Sequence, residues 1–131
     1  MQITRETDYA VRCVLFLAGR EDEVSMIDGI SKGMCVPKSF LAKILQKLTR
    51  AGIVKSYRGV KGGFQLAKKP GEISLLDVIE AIQGPVVMNV CALDDKLCQF
   101  SKTCAVHPVW VEVRGMVEQV LRSKDFSKLK L

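Results

Sequence analysis

The sequence predicts a mainly α-helical chain with a small β-hairpin, built as a winged helix-turn-helix and completed by a long C-terminal dimerisation helix. Three observations carry that expectation. Leu41, Ile44, Leu45 and Leu48 recur at three- and four-residue steps, the spacing of one helix face, just after a shorter helical segment. Ile53-Val54-Lys55-Ser56-Tyr57 and Phe64-Gln65-Leu66-Ala67 read as two strands joined by Arg58-Gly59-Val60-Lys61-Gly62-Gly63. Between Asp28 and Glu72 the chain carries ten Lys and Arg residues and no carboxylate. A solvated surface normally mixes both signs, so this run calls for a partner that brings its own negative charge, and duplex DNA leads the field.

The 131 residues suit one compact domain with an appendage. Residues 1–70 hold 13 Lys and Arg against 6 Asp and Glu, a balance of +7, whereas residues 71–131 hold 7 against 8, a balance of −1. The nucleic-acid half is therefore N-terminal. The opening Met1-Gln-Ile-Thr-Arg-Glu is too polar for a signal peptide, and the apolar run Cys13 to Ala18 is too short to span a bilayer. A cytoplasmic protein with no membrane partner is expected. Five cysteines in a reducing compartment then point to metal or redox chemistry rather than a disulfide scaffold. With no nucleotide-binding glycine motif and no paired catalytic groups, the chain does not read as an enzyme.

Thr4 is the expected cap of a first helix that runs to about Gly19 and buries some combination of Tyr9, Val11, Cys13, Val14, Phe16, Leu17 and Ala18. Arg5 at its start is placed to touch a phosphate, and Asp8 has an ordinary role as the i,i+4 partner of Arg12. Cys13 reads as a small core residue. Past the acidic loop Arg20-Glu-Asp-Glu23, Ser25 with Asp28 is the expected cap of a short second helix that carries Ile27 and Ile30 and ends near Gly33. Cys35 at the corner reads as structural. Pro37 suits the first turn of the third helix, where its missing N–H is unpaired in any case, and Gly52 stops it.

Lys38, Ser39, Lys43, Lys47 and Arg50 lie away from the apolar face of that third helix. Lys38, Ser39 and Lys43 point to a major groove, and Arg58 at the wing tip to a narrow minor groove, where the potential is most negative. The candidate DNA-binding set is Arg5, Lys38, Ser39, Lys43, Lys47, Tyr57, Arg58, Gly59 and Lys61. The bland alternative is a helix pair and hairpin that only pack, with Gly62-Gly63 serving the turn. Charge run, helix spacing and basic wing agree on one surface, which favours DNA.

Ser74-Leu-Leu-Asp77 has the form of a capping box and opens a short helix with Leu76, Val78, Ile79 and Ile82 on its apolar side, closed by Gly84-Pro85. Cys91, Cys98 and Cys104 follow at Cys-x6-Cys-x5-Cys, and His107, the only histidine, comes three residues later. Three thiols and an imidazole this close form a soft-ligand set for iron-sulfur or zinc, although no Cys-x2-Cys knuckle marks a zinc finger. Thiols in a flexible loop without metal are the alternative.

From Pro108 to about Lys124 a long helix carries Val106, Val109, Trp110, Val113, Met116, Val117, Val120 and Leu121 as one stripe, about 25 Å long at 1.5 Å per residue. The winged domain covers only part of it. A second copy is the economical cover, and a symmetric homodimer offers two recognition helices to a palindromic operator; the alternative is a helix folded back on its own domain. Phe126, Leu129 and Leu131 read as a final docking segment. The expected division is residues 1–84, a winged helix-turn-helix DNA-binding domain; 85–107, a cysteine-rich cluster-binding loop; and 108–131, the dimerisation helix and C-terminal segment.

Several of these residues together resemble a known family. They are Met1-Gln-Ile-Thr with Thr7-Asp8-Tyr9-Ala10, the helix from Phe40-Leu41 to Leu48, Gly52-Ile53-Val54, the wing Arg58-Gly59-x-x-Gly62-Gly63-Phe64, and three cysteines before a long helix. In this order, over nearly the whole chain, they resemble the Rrf-type (IscR/NsrR-like) bacterial iron-sulfur transcription regulators. The resemblance implies a homodimeric winged-helix repressor or activator whose cysteines hold an iron-sulfur cluster, of two-iron or four-iron type. Cys91, Cys98 and Cys104 are its implied ligands. Asp8 stands where the nitric oxide sensing branch supplies the fourth ligand, and His107 where the cluster-assembly branch does; the first spacing of six is one longer than that second branch usually shows.

The expected function is operator binding, as a repressor, controlled by a cluster that senses nitric oxide, redox state including oxygen, or iron-sulfur status. Two rivals stand beside it. One is a metal-free or zinc-bound regulator of the same fold, and the other a small redox or electron-transfer protein.

Overall fold

The structure, a computed structural model, describes residues 1–129, so Leu131 of the expected docking segment lies outside the described residues. The elements are α1 (Arg5–Ala18), α2 (Ile27–Met34), α3 (Lys38–Arg50), β1 (Val54–Tyr57), β2 (Gly63–Leu66), α4 (Leu75–Gln83), α5 (Val90–Leu93) and α6 (His107–Ser123). Short 3-10 turns cover Pro70–Glu72 and Asp95–Leu97. The architecture is mostly helical with one antiparallel hairpin, as the apolar spacing predicted.

α1 starts where Thr4 accepts a hydrogen bond from the Thr7 N–H at 3.1 Å. Its inner face buries Thr7, Ala10, Cys13, Val14, Phe16 and Leu17, leaving Tyr9, Val11 and Ala18 only partly covered. α2 departs from expectation at its start. Met26, not Ser25, occupies the N-cap position, without a side-chain bond. The backbone of Ser25 is committed elsewhere: it exchanges two 2.8 Å hydrogen bonds with Phe64 and extends the hairpin by one rung. Ser25 therefore lies one position before the cap, at the end of the strand-like segment that leads into α2.

Leu41, Ile44, Leu45 and Leu48 have no exposed surface, and they hold α3 against α1 and α2. Burying each leucine or isoleucine contributes about 1.5–3 kcal/mol relative to exposure. Pro37 is the N-cap of α3 rather than a residue of its first turn. The helix ends in a Schellman arrangement, in which Gly52 takes φ 76, its N–H bonds Thr49 O at 3.1 Å, and the Ile53 N–H bonds Leu48 O at 3.0 Å. That turn feeds directly into β1, which pairs with β2 from Val54↔Leu66 to Tyr57↔Gly63.

α4 opens with both halves of the capping box: the Asp77 N–H donates to Ser74 Oγ at 3.1 Å, and the Ser74 N–H to the Asp77 carboxylate at 2.9 Å. Phe126 and Leu129 dock as expected. Phe126 is buried in the main core, its N–H bonds Ile73 O at 3.1 Å, and Leu129 packs beside it. α6 is less simple than the continuous stripe implied. Val117 and Leu121 pack on Leu76, Ile79 and Val86, while Val106, Val109, Met116 and Val120 remain exposed and no residue of the helix is fully buried. The helix does fold back on its own domain, yet that uses half of its apolar surface. Among the described residues, no helix is long and apolar enough to cross a membrane.

Candidate nucleic-acid interface and cysteine loop

α3 presents Lys38, Ser39, Ala42, Lys43 and Gln46 outward. Ser39, Ala42, Lys43 and Gln46 fall at i, i+3, i+4 and i+7, one face of the helix opposite its buried leucines. Ala42 and Gln46 lie outside the sequence-derived set. The signal for them was the gap in the apolar period, which marks them as outward as clearly as it marks Lys43.

Two of the expected contact lysines already have partners. Lys38 Nζ pairs with Asp28 and Lys47 Nζ with Glu6. The Lys38 hydrogen bond, then its charge and that of Lys32, hold the Asp28 carboxyl below the usual carboxylate range. The Lys38–Asp28 pair is well exposed and the Lys47–Glu6 pair partly so, so solvent screens both and a phosphate oxygen can take the ammonium from either carboxylate. Lys43, Lys55, Arg58 and Lys61 make no ion pair among the described residues and are exposed.

The wing has a built turn. The Gly62 N–H bonds Gly59 O at 2.9 Å, and Gly59 adopts φ 101, a region a side chain would strain. Arg58 and Lys61 therefore ride on a defined loop. Tyr57, half exposed, donates its hydroxyl to Gln65 Oε1 at 3.2 Å, and Gln65 Nε2 donates to the Glu21 carbonyl at 2.6 Å, which ties the wing to the loop between α1 and α2. Arg5 is exposed at the start of α1, and the segment just before it is held by a contact with no local sign in the sequence. The Gln83 amide donates to Gln2 O at 3.0 Å and accepts the Thr4 N–H at 3.1 Å.

Asp8 makes its expected pair with Arg12 at 2.8 Å, and Arg12 lies over the Tyr9 ring. Cys13 is fully buried, and burial pushes its thiol up to about 12, so it is an inert core residue as expected. Cys35 differs from the reading as structural. Its backbone forms the corner after α2 at φ 55, but its side chain is exposed.

Cys91 is buried on α5, whereas Cys98 and Cys104 are partly exposed, and all three are free thiols. Among the described residues, no three His, Cys, Asp or Glu side chains gather closely enough to hold a metal ion, so the folded chain does not bring Cys91, Cys98, Cys104, His107 and Asp8 together. A 3-10 turn at Asp95–Leu97 separates the first thiol from the second. The chemistry of the donors nevertheless fits a soft-metal or iron-sulfur group. Among the described residues, two buried polar atoms, Ser101 Oγ in this loop and His107 Nδ1 at the start of α6, have no hydrogen-bond partner, and in sequence they lie three residues before and three after Cys104. Orphaned polar atoms are costly, and two flanking one ligand-type thiol fit a site whose last component is external.

A helix-turn-helix with a free basic face, a basic wing on a glycine turn and a long, half-covered helix define a DNA-binding transcriptional regulator. Residues 3–130 match the Rrf2 family model, described as an iron-dependent transcriptional regulator, and the chain belongs to that family. Protein aau3 of Rhizobium meliloti is 40% identical over 130 residues, covering 98% of this chain and 84% of its own. The transcriptional regulator IscR of Aliivibrio salmonicida is 32% identical over 131 residues, covering 98% and 77%. Among solved structures, CymR of B. subtilis, titled the global cysteine regulator, superposes with a TM-score of 0.79 at 26% identity, covering 98% of this chain and 95% of that one. The family model, IscR and CymR are all described as regulators, in agreement with the expectation that this chain is not an enzyme.

Proposed function

We propose that this Rrf2-family regulator binds a palindromic operator as a homodimer, acting as a repressor, and that an iron-sulfur cluster on Cys91, Cys98 and Cys104 sets its affinity. His107 or Asp8 of the partner subunit supplies the fourth ligand. The observation that carries the DNA half is the unpaired basic face of Lys43, Arg58 and Lys61 beside Ser39. Positive side chains on a recognition helix and wing neutralise phosphates, and the polar groups between them read base edges. The exposed Met116 and Val120 beside Val117 and Leu121 form an apolar hollow that a second copy of α6 fills, and two reading heads then face one duplex.

The two orphaned atoms beside Cys104 support the cluster half. When bound, such a group supplies a centre that reacts with oxygen or nitric oxide and whose assembly follows iron supply. The chain's own part is to hold thiolates in a loop between α4 and α6. Cys104 sits three residues before the start of α6, where the helix dipole favours negative charge. Binding of the operator should fall about a thousandfold or more between 50 and 200 mM salt if six or more phosphates are neutralised.

The test is anaerobic purification with iron, sulfide and visible-absorption analysis, followed by anisotropy on a duplex selected from a random pool. Iron-loaded protein should differ from stripped protein in affinity for that duplex. A colourless, iron-free protein that binds at full strength would end the cluster proposal and leave the second reading, a metal-free or zinc-bound regulator. The separation of the three thiols in the folded chain favours the metal-free form of that second reading.

A further inference from the structure

A charge-assisted hydrogen bond ties the cysteine loop to the long helix where α5 packs on α6. Arg114, midway along α6, donates from Nη1 to the carbonyl of Ala92 at 2.8 Å, and from Nε to Glu118 Oε1 at 2.8 Å. The side chains of Arg114 and Glu118 are only 24% and 23% exposed, so this is no loose surface pair. Ala92 stands in the single turn of α5, whose carbonyls lack intrahelical partners at its C-terminal end. A guanidinium there satisfies an orphaned acceptor with a charge-assisted bond, and Glu118 one turn further on fixes the plane of the fork. The residue before Ala92 is Cys91, the one buried thiol of the loop.

We infer that Arg114 is the positioning residue that couples the cysteine loop to α6: its bond to the Ala92 carbonyl keeps Cys91 closed in, and its release frees α5 from the long helix. The inference rests on the proposed function, in which the state of the loop governs DNA affinity. Geometry explains why this residue and not its neighbour has the role. Arg122 also lies beside Glu118, at 3.8 Å, but it is 66% exposed and makes no bond to the loop.

The test uses the full chain stripped of metal. Alkylation of each cysteine by N-ethylmaleimide is followed by mass spectrometry, with circular dichroism to show that each variant is helical. Arg114→Ala should speed Cys91 modification about tenfold, the factor for losing one charge-assisted hydrogen bond that holds a closed form. Arg122→Ala should leave the rate unchanged. Glu118→Gln, which keeps the guanidinium but slackens its orientation, should give a smaller acceleration, and it serves if Arg114→Ala does not fold. In the iron-loaded and stripped pair, Arg114→Ala should also bring the ratio of operator affinities towards one.

An unchanged Cys91 rate in Arg114→Ala, or in Glu118→Gln where that variant stands in for it, would overturn the coupling role. Equal acceleration by Arg122→Ala would overturn it too, because general loosening of α6 would then account for the effect. Wild-type protein that binds its operator equally with and without iron would instead sink the proposed function, whatever the alkylation rates. The two failures are therefore separable.

Discussion

Gly63 abuts the backbone carbonyl of Ser25 so closely that a side chain at Gly63 would overlap its oxygen. The approach is what allows Ser25 and Phe64 to exchange hydrogen bonds, and it joins the wing to the segment that leads into α2. The glycine pair of the wing thus has two separate roles: Gly62 closes the turn with Gly59, while Gly63 makes room for a third strand-like rung.

Gly63→Ala is therefore expected to detach the wing from Ser25. Overpacking of this kind costs about 1–3 kcal/mol, read as a lower urea midpoint with an unchanged slope. Operator affinity should fall with it, since Arg58 and Lys61 lose their fixed mount. A variant as stable as the parent would show that the Ser25 rung does not anchor the hairpin.

Lys43 and Arg58 should separate in their effects on DNA. Lys43, free of any carboxylate among the described residues, neutralises phosphate, so Lys43→Ala should lower affinity for all duplexes alike and reduce the salt slope by about 0.9. Arg58 on the wing turn reads a narrow groove, so Arg58→Ala should cost about 1–2 kcal/mol on a duplex with A/T-rich flanks and less on a G/C-rich one. Titrations over a salt series on both duplexes check this. Equal losses for Arg58→Ala on the two duplexes would remove the groove assignment.

Met116 and Val120 test the assembly. Both are more than half exposed on α6, and neither supports the fold of its own chain. A carboxylate at either position should leave the thermal midpoint of the isolated chain nearly unchanged while abolishing self-association in sedimentation equilibrium. Operator affinity should then drop about a hundredfold or more, because the second reading head loses its high effective concentration. A Met116→Glu chain that still sediments as a dimer would move the interface elsewhere.

What the sequence made legible follows the range of the interactions involved. The α3 face was readable because its four apolar residues obey one local period, and the Ser74 and Gly52 signals are equally local. Ser25 was misread because its backbone partner, Phe64, lies 39 residues away and no spacing rule reports it. The tie from Gln83 to Gln2 and Thr4 was invisible for the same reason. The basic run was visible as charge, but the capture of Lys38 by Asp28 and Lys47 by Glu6 depends on how three helices pack. In α6 the stripe was correctly seen, yet only α4 packing divides Val117 and Leu121 from Met116 and Val120. The three loop thiols are neighbours in sequence, yet among the described residues they do not gather into a metal-holding group: Cys91 is buried on α5, while Cys98 and Cys104 are partly exposed beyond the 3-10 turn.

Cys13 offers a prediction in pH. Its thiol is fully buried in α1, and desolvation raises it to about 12 in the folded chain, while the unfolded chain ionises in the ordinary thiol range. Between those two values the unfolded state binds fewer protons than the folded one, so stability falls as pH rises through the window and is complete below it. The slope from this one group approaches about 1.4 kcal/mol per pH unit. Cys13→Ala should lose about 1 kcal/mol near neutral pH to the small cavity it leaves. It should also show a shallower alkaline decline than the parent in urea midpoints taken from about pH 9 to 11. If the Cys13→Ala and parent curves run parallel through that window, the buried thiol is not the group that titrates on unfolding.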